Sequence, residues 1–270
     1  MKKLFRGLDW ILLIASTARR RIRPDLLIAA LLLLIPAGVA TFCFLPRYYS
    51  FYAPGEIVSV QELGVNGSVR FCYVREGVTR NLYERWSVQR AYPGTQFTAI
   101  DRSSLDELED TKELGALLRD ETIRNALVNA DELAAEPHEE TQTDMRLAEL
   151  IAEAEDYYGD SLGLMLAIGL VEEARQEDLS GGGRYVISGT GTMEADHTVG
   201  SVGAIREKLQ TAEQYGADYF LIPGDRDRFY YEGISNEEEA QLAVKELGLS
   251  LKLIPVDSLE EALDFLRNLN

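Results

Sequence analysis

The first clear pattern of hydrophobic and polar positions is an uninterrupted apolar run near the N terminus. Residues 26–45 read LLIAALLLLIPAGVATFCFL and contain no charged side chain. A helix of about 20 residues crosses the ~30 Å of hydrocarbon in a bilayer, so the run predicts a transmembrane helix over residues 26–46. A cleaved signal peptide is the alternative, but a shorter apolar region and a small-residue cleavage site would be expected, which favours an uncleaved anchor.

Basic residues lie before this run and aromatic residues follow it. Residues 1–25 contain seven Lys or Arg residues and two Asp residues. Under the positive-inside rule this bias keeps residues 1–25 in the cytoplasm and exports the chain after residue 46, as in a single-pass protein of the cell membrane. The aromatic residues after the run are typical of a membrane–water interface: Tyr48, Tyr49, Phe51 and Tyr52.

Residues 47–100 alternate between apolar and polar positions and are rich in residues that favour β-strands. The pattern predicts a small antiparallel β region with strands in EIVSVQEL, GSVRFCYVREG and TRNLYERWSVQ. Asn66 and Gly67 lie between the first two strands and are typical of a tight hairpin turn.

Residues 101–156 change to a helical spacing among many acidic side chains. The pattern predicts two or three acidic amphipathic helices, broken near Glu136 and Pro137. We interpret the acidic residues as a solvated helix face rather than a calcium or magnesium site, because no D-x-D-x-D-G loop occurs. The apolar positions that carry the helical spacing are Leu105, Leu108, Leu114, Leu117, Leu118, Leu147, Leu150 and Ile151.

Residues 157–270 predict a domain in which helices and strands alternate. An apolar helix over 161–175 is followed by a strand in RYVISGTGTM and a helix from about Gly203. ADYFLIP and SLKLIPV read as strands, and each precedes a helix that begins with a capping pair, Ser235 with Glu238 and Ser258 with Glu261. This order implies right-handed βαβ units with parallel strands, so we predict an α/β fold.

Composition and charge exclude several classes of function. The net charge of −18 argues against a nucleic-acid partner, because phosphate binding needs a basic surface. Two cysteines, Cys43 and Cys72, and two histidines, His138 and His197, provide neither a disulfide framework nor a metal-ligand pattern. No G-x-x-x-x-G-K-[ST] motif occurs, so no ATPase part is predicted, and no cofactor or metal is expected.

Ser161 is the most prominent candidate for chemistry, because it stands in YYGDSLGLMLAIGL at the start of the apolar helix. One alternative is that Ser161 or Asp160 caps this helix. The G-x-S-x-G elbow of α/β-hydrolases is another, but the segment before Ser161 has a helical period and the only downstream histidine is His197, in a polar turn. We therefore set the hydrolase elbow aside.

Four ordered segments indicate a family. G-D-S-L-G-L-M-L-A, G-T-G-T-M, V-G-S-V-G-A-I-R-E-K and G-A-D-Y-F-L-I-P together resemble the proteolytic domain of Lon-type serine–lysine peptidases over residues 157–270. The chain is most similar to the membrane-anchored Lon-like proteases of Gram-positive bacteria, here without a PDZ or ATPase part. The resemblance implies that Ser161 is the nucleophile, Lys208 the general base and Thr190 the hydroxyl that orients the lysine amine.

The residue types suit this chemistry. A serine hydroxyl needs a nearby base to remove its proton, and a lysine can serve only if burial lowers the pKa of its ammonium group. The N–H of Ser161 at the helix start is in place for an oxyanion. The alternative for Lys208 is an ordinary exposed lysine on a helix.

These observations predict a membrane-anchored, ATP-independent serine endopeptidase that acts on exported or membrane-proximal polypeptides. The alternative is a catalytically inactive Lon-like domain that serves as a membrane-bound binding or scaffold module, since Asp160 and Leu162 replace the proline and alanine of the family's G-P-S-A-G. A signal-peptidase-like enzyme is a third option, which the order of the motifs disfavours. The expected partners are a polypeptide substrate and the membrane but no nucleic acid, and a homo-oligomer stays open.

Overall fold

The computed structural model describes residues 24–134, 140–225 and 233–269. Helix α1 (Pro24–Phe44) has Asp25 in its first turn and is apolar on all sides after it, and its Leu27–Phe44 segment has a mean hydropathy of 2.5 with no residue buried. A helix that is apolar on every side and packs against no core is typical of a membrane span, although a signal sequence has the same properties. The predicted basic segment upstream lies, up to residue 23, outside the described residues.

One mixed sheet of six strands, ordered β3-β1-β2-β4-β5-β6, organises the rest of the chain that the structure describes. Strands β3, β1 and β2 are mutually antiparallel, whereas β2, β4, β5 and β6 are parallel. The predicted α/β class with parallel units is therefore confirmed, but the early β region is continuous with the parallel strands. The strands are β1 (Tyr48–Ser59), β2 (Arg70–Thr79), β3 (Gln96–Ile100), β4 (Ile187–Gly189), β5 (Tyr219–Pro223) and β6 (Lys252–Val256).

Helices cover both faces of this sheet. Alternation along β5 divides the core: Leu221 packs towards the face covered by α3, α4, α5 and α8, and Phe220 and Ile222 pack towards the face covered by α6 and α7. The helices after α1 are α2 (Leu82–Ala91), α3 (Ser104–Ala134), α4 (Glu140–Glu153), α5 (Gly163–Arg175), α6 (Ile205–Gln214), α7 (Asn236–Leu247) and α8 (Leu259–Arg267).

The starts of α7 and α8 follow their local sequence closely. The capping box of Ser235 and Glu238 at α7 is present with both hydrogen bonds. At α8 the Ser258 hydroxyl accepts from the Glu261 N–H, while the Glu261 carboxylate accepts from the N–H of Asp257 instead of Ser258. These signals are local, which explains why the sequence predicts this part of the chain well.

The first 100 residues depart from the prediction in two places. Ser59 pairs with Arg70, so residues 60–69 form the connection between β1 and β2, and the expected tight turn at Asn66 and Gly67 is wrong. The third predicted strand, TRNLYERWSVQ, is mostly helix α2, and strand β3 follows it. The side chain of Asn81 caps α2 by accepting from the Glu84 N–H at 2.9 Å, a start signal that outweighs the β propensity of the aromatic residues.

The acidic segment forms the two helices α3 and α4, and the predicted break at Glu136 and Pro137 lies outside the described residues. The packed face of α3 differs from the predicted leucine stripe. Leu114 and Leu117 are 53% and 67% exposed. The buried hydrophobic positions lie later in the helix, where α3 packs against α5, and they are Ile123, Ala126, Leu127 and Ala130.

Gly67 has a packing role that explains its presence in the β1–β2 connection. A Cβ atom at Gly67 would lie 2.8 Å from both the Gly169 Cα and the Val60 Cγ2 atom. The connection therefore lies directly on α5, and only a residue without a side chain fits.

We expect Gly67→Ala to lower the free energy of unfolding by about 1–3 kcal/mol, because the added methyl group must push the connection away from α5. Urea denaturation of the full chain in detergent measures the change. Gly203→Ala is the matched control, since nothing lies within 4 Å of a Cβ there. Equal stability of the two variants would contradict the packing argument.

Candidate functional site

Ser161 lies just before α5, in the connection that follows Gly159. Helix α5 begins at Gly163, and no side chain caps it. The Gly163 N–H donates to the Asp160 carbonyl at 3.1 Å, and the Leu164 N–H donates to the Gly191 carbonyl at 3.0 Å. Backbone carbonyls thus satisfy these helix donors, so the alternative that Ser161 or Asp160 is the side-chain cap is wrong.

The chain after β4 holds Ser161 in place from the other side. The Gly191 N–H and the Thr190 hydroxyl both donate to the Ser161 carbonyl, at 3.0 and 3.1 Å. Thr190 is fully buried and donates its own N–H to the Leu221 carbonyl of β5. The backbone of Ser161 is therefore tied to the carboxyl end of the parallel strands, where α/β sheets commonly place their sites.

Lys208 is buried, with 3% of its surface exposed, so the alternative of an exposed helical lysine is wrong. Helix α6 carries it against β1 and β2. Burial lowers the pKa of the Lys208 ammonium from its usual 10.5 to about 8, because the charged form loses its hydration. The Lys208 Nζ donates to the Thr190 Oγ1 at 2.9 Å.

Thr190 is consequently the bridge of the site. Its hydroxyl oxygen accepts a hydrogen bond from the Lys208 amine, and its hydroxyl proton is donated to the Ser161 carbonyl. Ser161 and Lys208 also line the same cavity, of about 640 Å³. In the described structure no hydrogen bond joins the Ser161 hydroxyl directly to the Lys208 amine. The structure therefore brings the three sequence-derived residues together, with Thr190 between the other two.

Two carboxylates and a thiol lie near Lys208. Asp160 and Glu239 oppose the effect of burial and raise the pKa of Lys208. Burial raises the pKa of the Cys72 thiol to about 12, so Cys72 stays neutral, and its Sγ donates to the Lys208 carbonyl at 3.4 Å. The negative charge near Lys208 therefore comes from Asp160 and Glu239. The sequence had no local signal for Cys72 or Glu239, because only the fold brings these two residues close to Lys208.

The cavity continues into a groove along the β1–β2 hairpin. A second cavity, of about 470 Å³, reaches Arg80 at the end of β2. The Tyr158 hydroxyl donates to the Glu76 carboxylate across the boundary between them. Sequence reasoning missed these groove residues, since only the tertiary fold brings β1 and β2 together with Lys112 of α3 and with Tyr158. The two cavities share Phe51, Tyr52, Glu76, Lys112 and Tyr158.

No metal centre is found in the part of the chain that the structure describes, where no three His, Cys, Asp or Glu side chains cluster suitably. His197 lies between two carboxylates, with its ring nitrogens 2.7 Å from Glu260 and 3.0 Å from Glu132. It joins α3 to α8. These hydrogen bonds to carboxylates raise the pKa of His197, as expected for a structural ion pair. His138 lies outside the described residues.

Comparison with known proteins adds no relative. The chain matches no protein-family model, and no curated protein is significantly similar to it. The site therefore rests on the geometry of its own residues.

The burial of Lys208 predicts a pH-dependent stability. Well below pH 8 the lysine is charged in both states, and the folded state bears the full desolvation cost, about 3 kcal/mol at about 1.4 kcal/mol per pKa unit. This cost falls as pH rises from 8 towards 10.5, where the unfolded lysine also loses its proton. We expect Lys208→Met to be more stable than the wild type at pH 7, with the difference shrinking towards pH 10.

Urea denaturation of the full chain in detergent from pH 6 to 10 measures this difference. Lys245→Met is the matched control because Lys245 is exposed on α7. A stability difference for Lys208→Met that does not change with pH would show that the amine is not held away from water.

Proposed function

We propose that this chain is a membrane-anchored serine endopeptidase of the Lon-like type that works without ATP. Ser161 is its nucleophile, Lys208 its general base and Thr190 the residue that orients the base. The observation that carries the proposal is the hydrogen-bonded path from the buried Lys208 amine through Thr190 to the backbone of Ser161, beside a cavity that both Ser161 and Lys208 line.

In the proposed reaction the Lys208 amine first accepts a proton and then returns it, in acylation and again in deacylation. The neutral Lys208 amine takes the proton of the Ser161 hydroxyl, whose oxygen attacks the substrate carbonyl carbon. As the tetrahedral intermediate collapses, the C–N bond breaks and the Lys208 ammonium gives its proton to the leaving amine. Water, deprotonated by the same amine, then hydrolyses the acyl ester and regenerates Ser161.

The local geometry supports these roles. Since Thr190 accepts one hydrogen bond from the Lys208 amine, the rotation of that amine is restricted. The other hydrogen-bonding positions of the amine are then available to groups in the cavity. The Ser161 N–H has no partner among the described residues and is available to an oxyanion. A pKa of about 8 leaves an appreciable fraction of Lys208 neutral at physiological pH.

The shape of the groove supports a polypeptide substrate near the membrane. The groove runs from Ser161 along β1 and β2 to Arg80, and strand β1 starts at Tyr48, close after α1 ends at Phe44. An extended chain that rises from the bilayer surface would enter at the Arg80 end. The apolar α1 as an uncleaved anchor, with the domain exported, belongs to the same proposal, and association between copies of the chain stays a prediction.

An inactive Lon-like scaffold is the second candidate, and two observations favour it. The Ser161 hydroxyl and the Lys208 amine are not hydrogen-bonded to each other in the described structure. The Asp160 carboxylate lies beside Ser161 in the cavity and raises the pKa of Lys208. A carboxylate at this position opposes both a neutral base and a developing oxyanion.

Ser161→Ala and Lys208→Ala separate the two candidates. Removal of the nucleophile or the base is expected to lower the rate of cleavage of an unfolded protein substrate by about ten-thousand-fold. The measurement is cleavage of casein by the full chain in detergent or vesicles, with near-ultraviolet circular dichroism to confirm the fold.

Lys245→Ala is the control and should cleave at the wild-type rate, because Lys245 is an exposed residue on α7. Undiminished cleavage by either site variant would refute the dyad. A wild-type chain that folds but cleaves no substrate across the pH range would favour the scaffold.

Asp160→Asn tests the electrostatics of the dyad. Because the Asp160 carboxylate raises the pKa of Lys208, its removal should lower that pKa and move the rising limb of kcat/KM towards lower pH. Activity at pH 6.5 relative to pH 9 should therefore increase. Asp144→Asn serves as the control, because Asp144 is exposed. A rising limb that stays at the same pH or moves to higher pH in Asp160→Asn would argue against Lys208 as the base.

A further inference from the structure

Helix α2 carries an exposed group of aromatic and basic side chains next to the end of α1. The rings of Phe44 and Tyr83 are 5.3 Å apart, and those of Tyr83 and Trp86 are 6.2 Å apart. The aromatic side chains of the end of α1 therefore continue directly onto α2. We call Arg47, Arg80, Tyr83, Trp86 and Arg90 the juxtamembrane patch.

Within the described residues, nothing covers the aromatic part of this patch. Tyr83 is 49% exposed and Trp86 58% exposed, and α2 buries none of its residues. Tyr and Trp have an apolar ring and a polar tip, so they are most stable at the level of the lipid headgroups. In water the same rings would remain a solvated apolar surface.

The opposite side of α2 is fixed to the sheet. The Arg85 guanidinium stacks over the rings of Tyr49 and Phe97, at 4.5 and 5.0 Å from their centres. Asn81 caps the N-terminal end of the helix. These contacts set the rotation of α2, and they leave Tyr83, Trp86 and Arg90 facing away from the sheet.

The charge of the patch is opposite to that of the whole chain, whose net charge is −18. Arg47, Arg80 and Arg90 are exposed. In the part of the chain that the structure describes, no salt bridge joins their side chains to a carboxylate, and the Glu84 carboxylate accepts instead from the backbone N–H of Arg80 at 2.7 Å. Arg47 lies 5.0 Å from the ring centre of Phe42, and Arg90 lies 5.8 Å from that of Trp86. Guanidinium groups beside interfacial aromatic rings are suited to lipid phosphate groups.

We propose that the juxtamembrane patch binds the surface of the anionic bilayer that α1 enters, with Trp86 and Tyr83 at the headgroup level and the three arginines on lipid phosphates. The proposal rests on the membrane anchor of the proposed function, but it does not depend on peptidase activity. Contact through both α1 and α2 holds the domain in one orientation, so the Arg80 end of the groove stays at the membrane.

Trp86 is itself the probe for this contact. The chain has two tryptophans, Trp10 and Trp86, so Trp10→Phe leaves Trp86 as the only tryptophan. The full-length Trp10→Phe chain is reconstituted into phosphatidylcholine vesicles with and without phosphatidylglycerol, and with bromine at either a shallow or a deep acyl position. We expect blue-shifted Trp86 emission, stronger quenching by shallow bromine, and more quenching with phosphatidylglycerol.

A charge variant tests the arginines. Arg47→Gln, Arg80→Gln and Arg90→Gln combined should remove most of the extra quenching that phosphatidylglycerol causes. The combination of Arg70→Gln, Arg124→Gln and Arg184→Gln is the matched control, because it also removes three charges and these arginines are exposed on other parts of the molecule. Thermal unfolding and flotation with the vesicles confirm that each variant folds and inserts.

The outcomes separate this proposal from the proposed function. Trp86 emission that bromine does not quench overturns the membrane contact, as does equal quenching with and without phosphatidylglycerol. A chain that fails to float with the vesicles overturns the anchor and the patch together. If the chain shows the expected Trp86 quenching but does not cleave casein, the proposed peptidase activity is refuted and the membrane contact is not.

Discussion

Removal of the Lys208 amine from water is the constraint on which the candidate site depends. Lys208 is 3% exposed, so its ammonium group must lose part of its basicity, and within the described residues the Thr190 hydroxyl accepts a hydrogen bond from it. Exposure of the same lysine on the outer side of α6 would leave a charged side chain with no capacity to act as a base. The proposed peptidase therefore depends on how tightly α6 packs against β1 and β2.

The approach of Ser161 and Thr190 depends on residues that lack side chains. A Cβ at Gly163 would lie 2.2 Å from the Thr122 hydroxyl, and one at Gly191 would lie 2.6 Å from Val199. These glycines let the start of α5 come close enough to the chain after β4 to exchange backbone hydrogen bonds with it. The sheet supplies the rigid support, since Thr190 is bonded to β5.

The antiparallel hairpin connects this site to the bilayer. Strands β1 and β2 pair with each other over their whole length, and β2 also pairs with β4, so the hairpin is a rigid part of the site's own sheet. Its cavity-lining residues form the groove along the half of the hairpin that ends at Arg80, and α2 begins directly after that end. In the proposed arrangement, a substrate's position above the membrane and its alignment at Ser161 are therefore set by one element.

Local signals in the sequence determined the apolar α1, the alternation of strands and helices after residue 215, and the start of α7 at Ser235, because each depends on residues within a few positions of one another. The order of motifs also singled out Ser161, Thr190 and Lys208. Only the tertiary structure decided that Lys208 is buried, that Thr190 bridges it to Ser161, and that TRNLYERWSVQ is mostly helix. Burial and hydrogen bonding between distant segments depend on how the sheet aligns them, and no local period in the chain encodes that alignment.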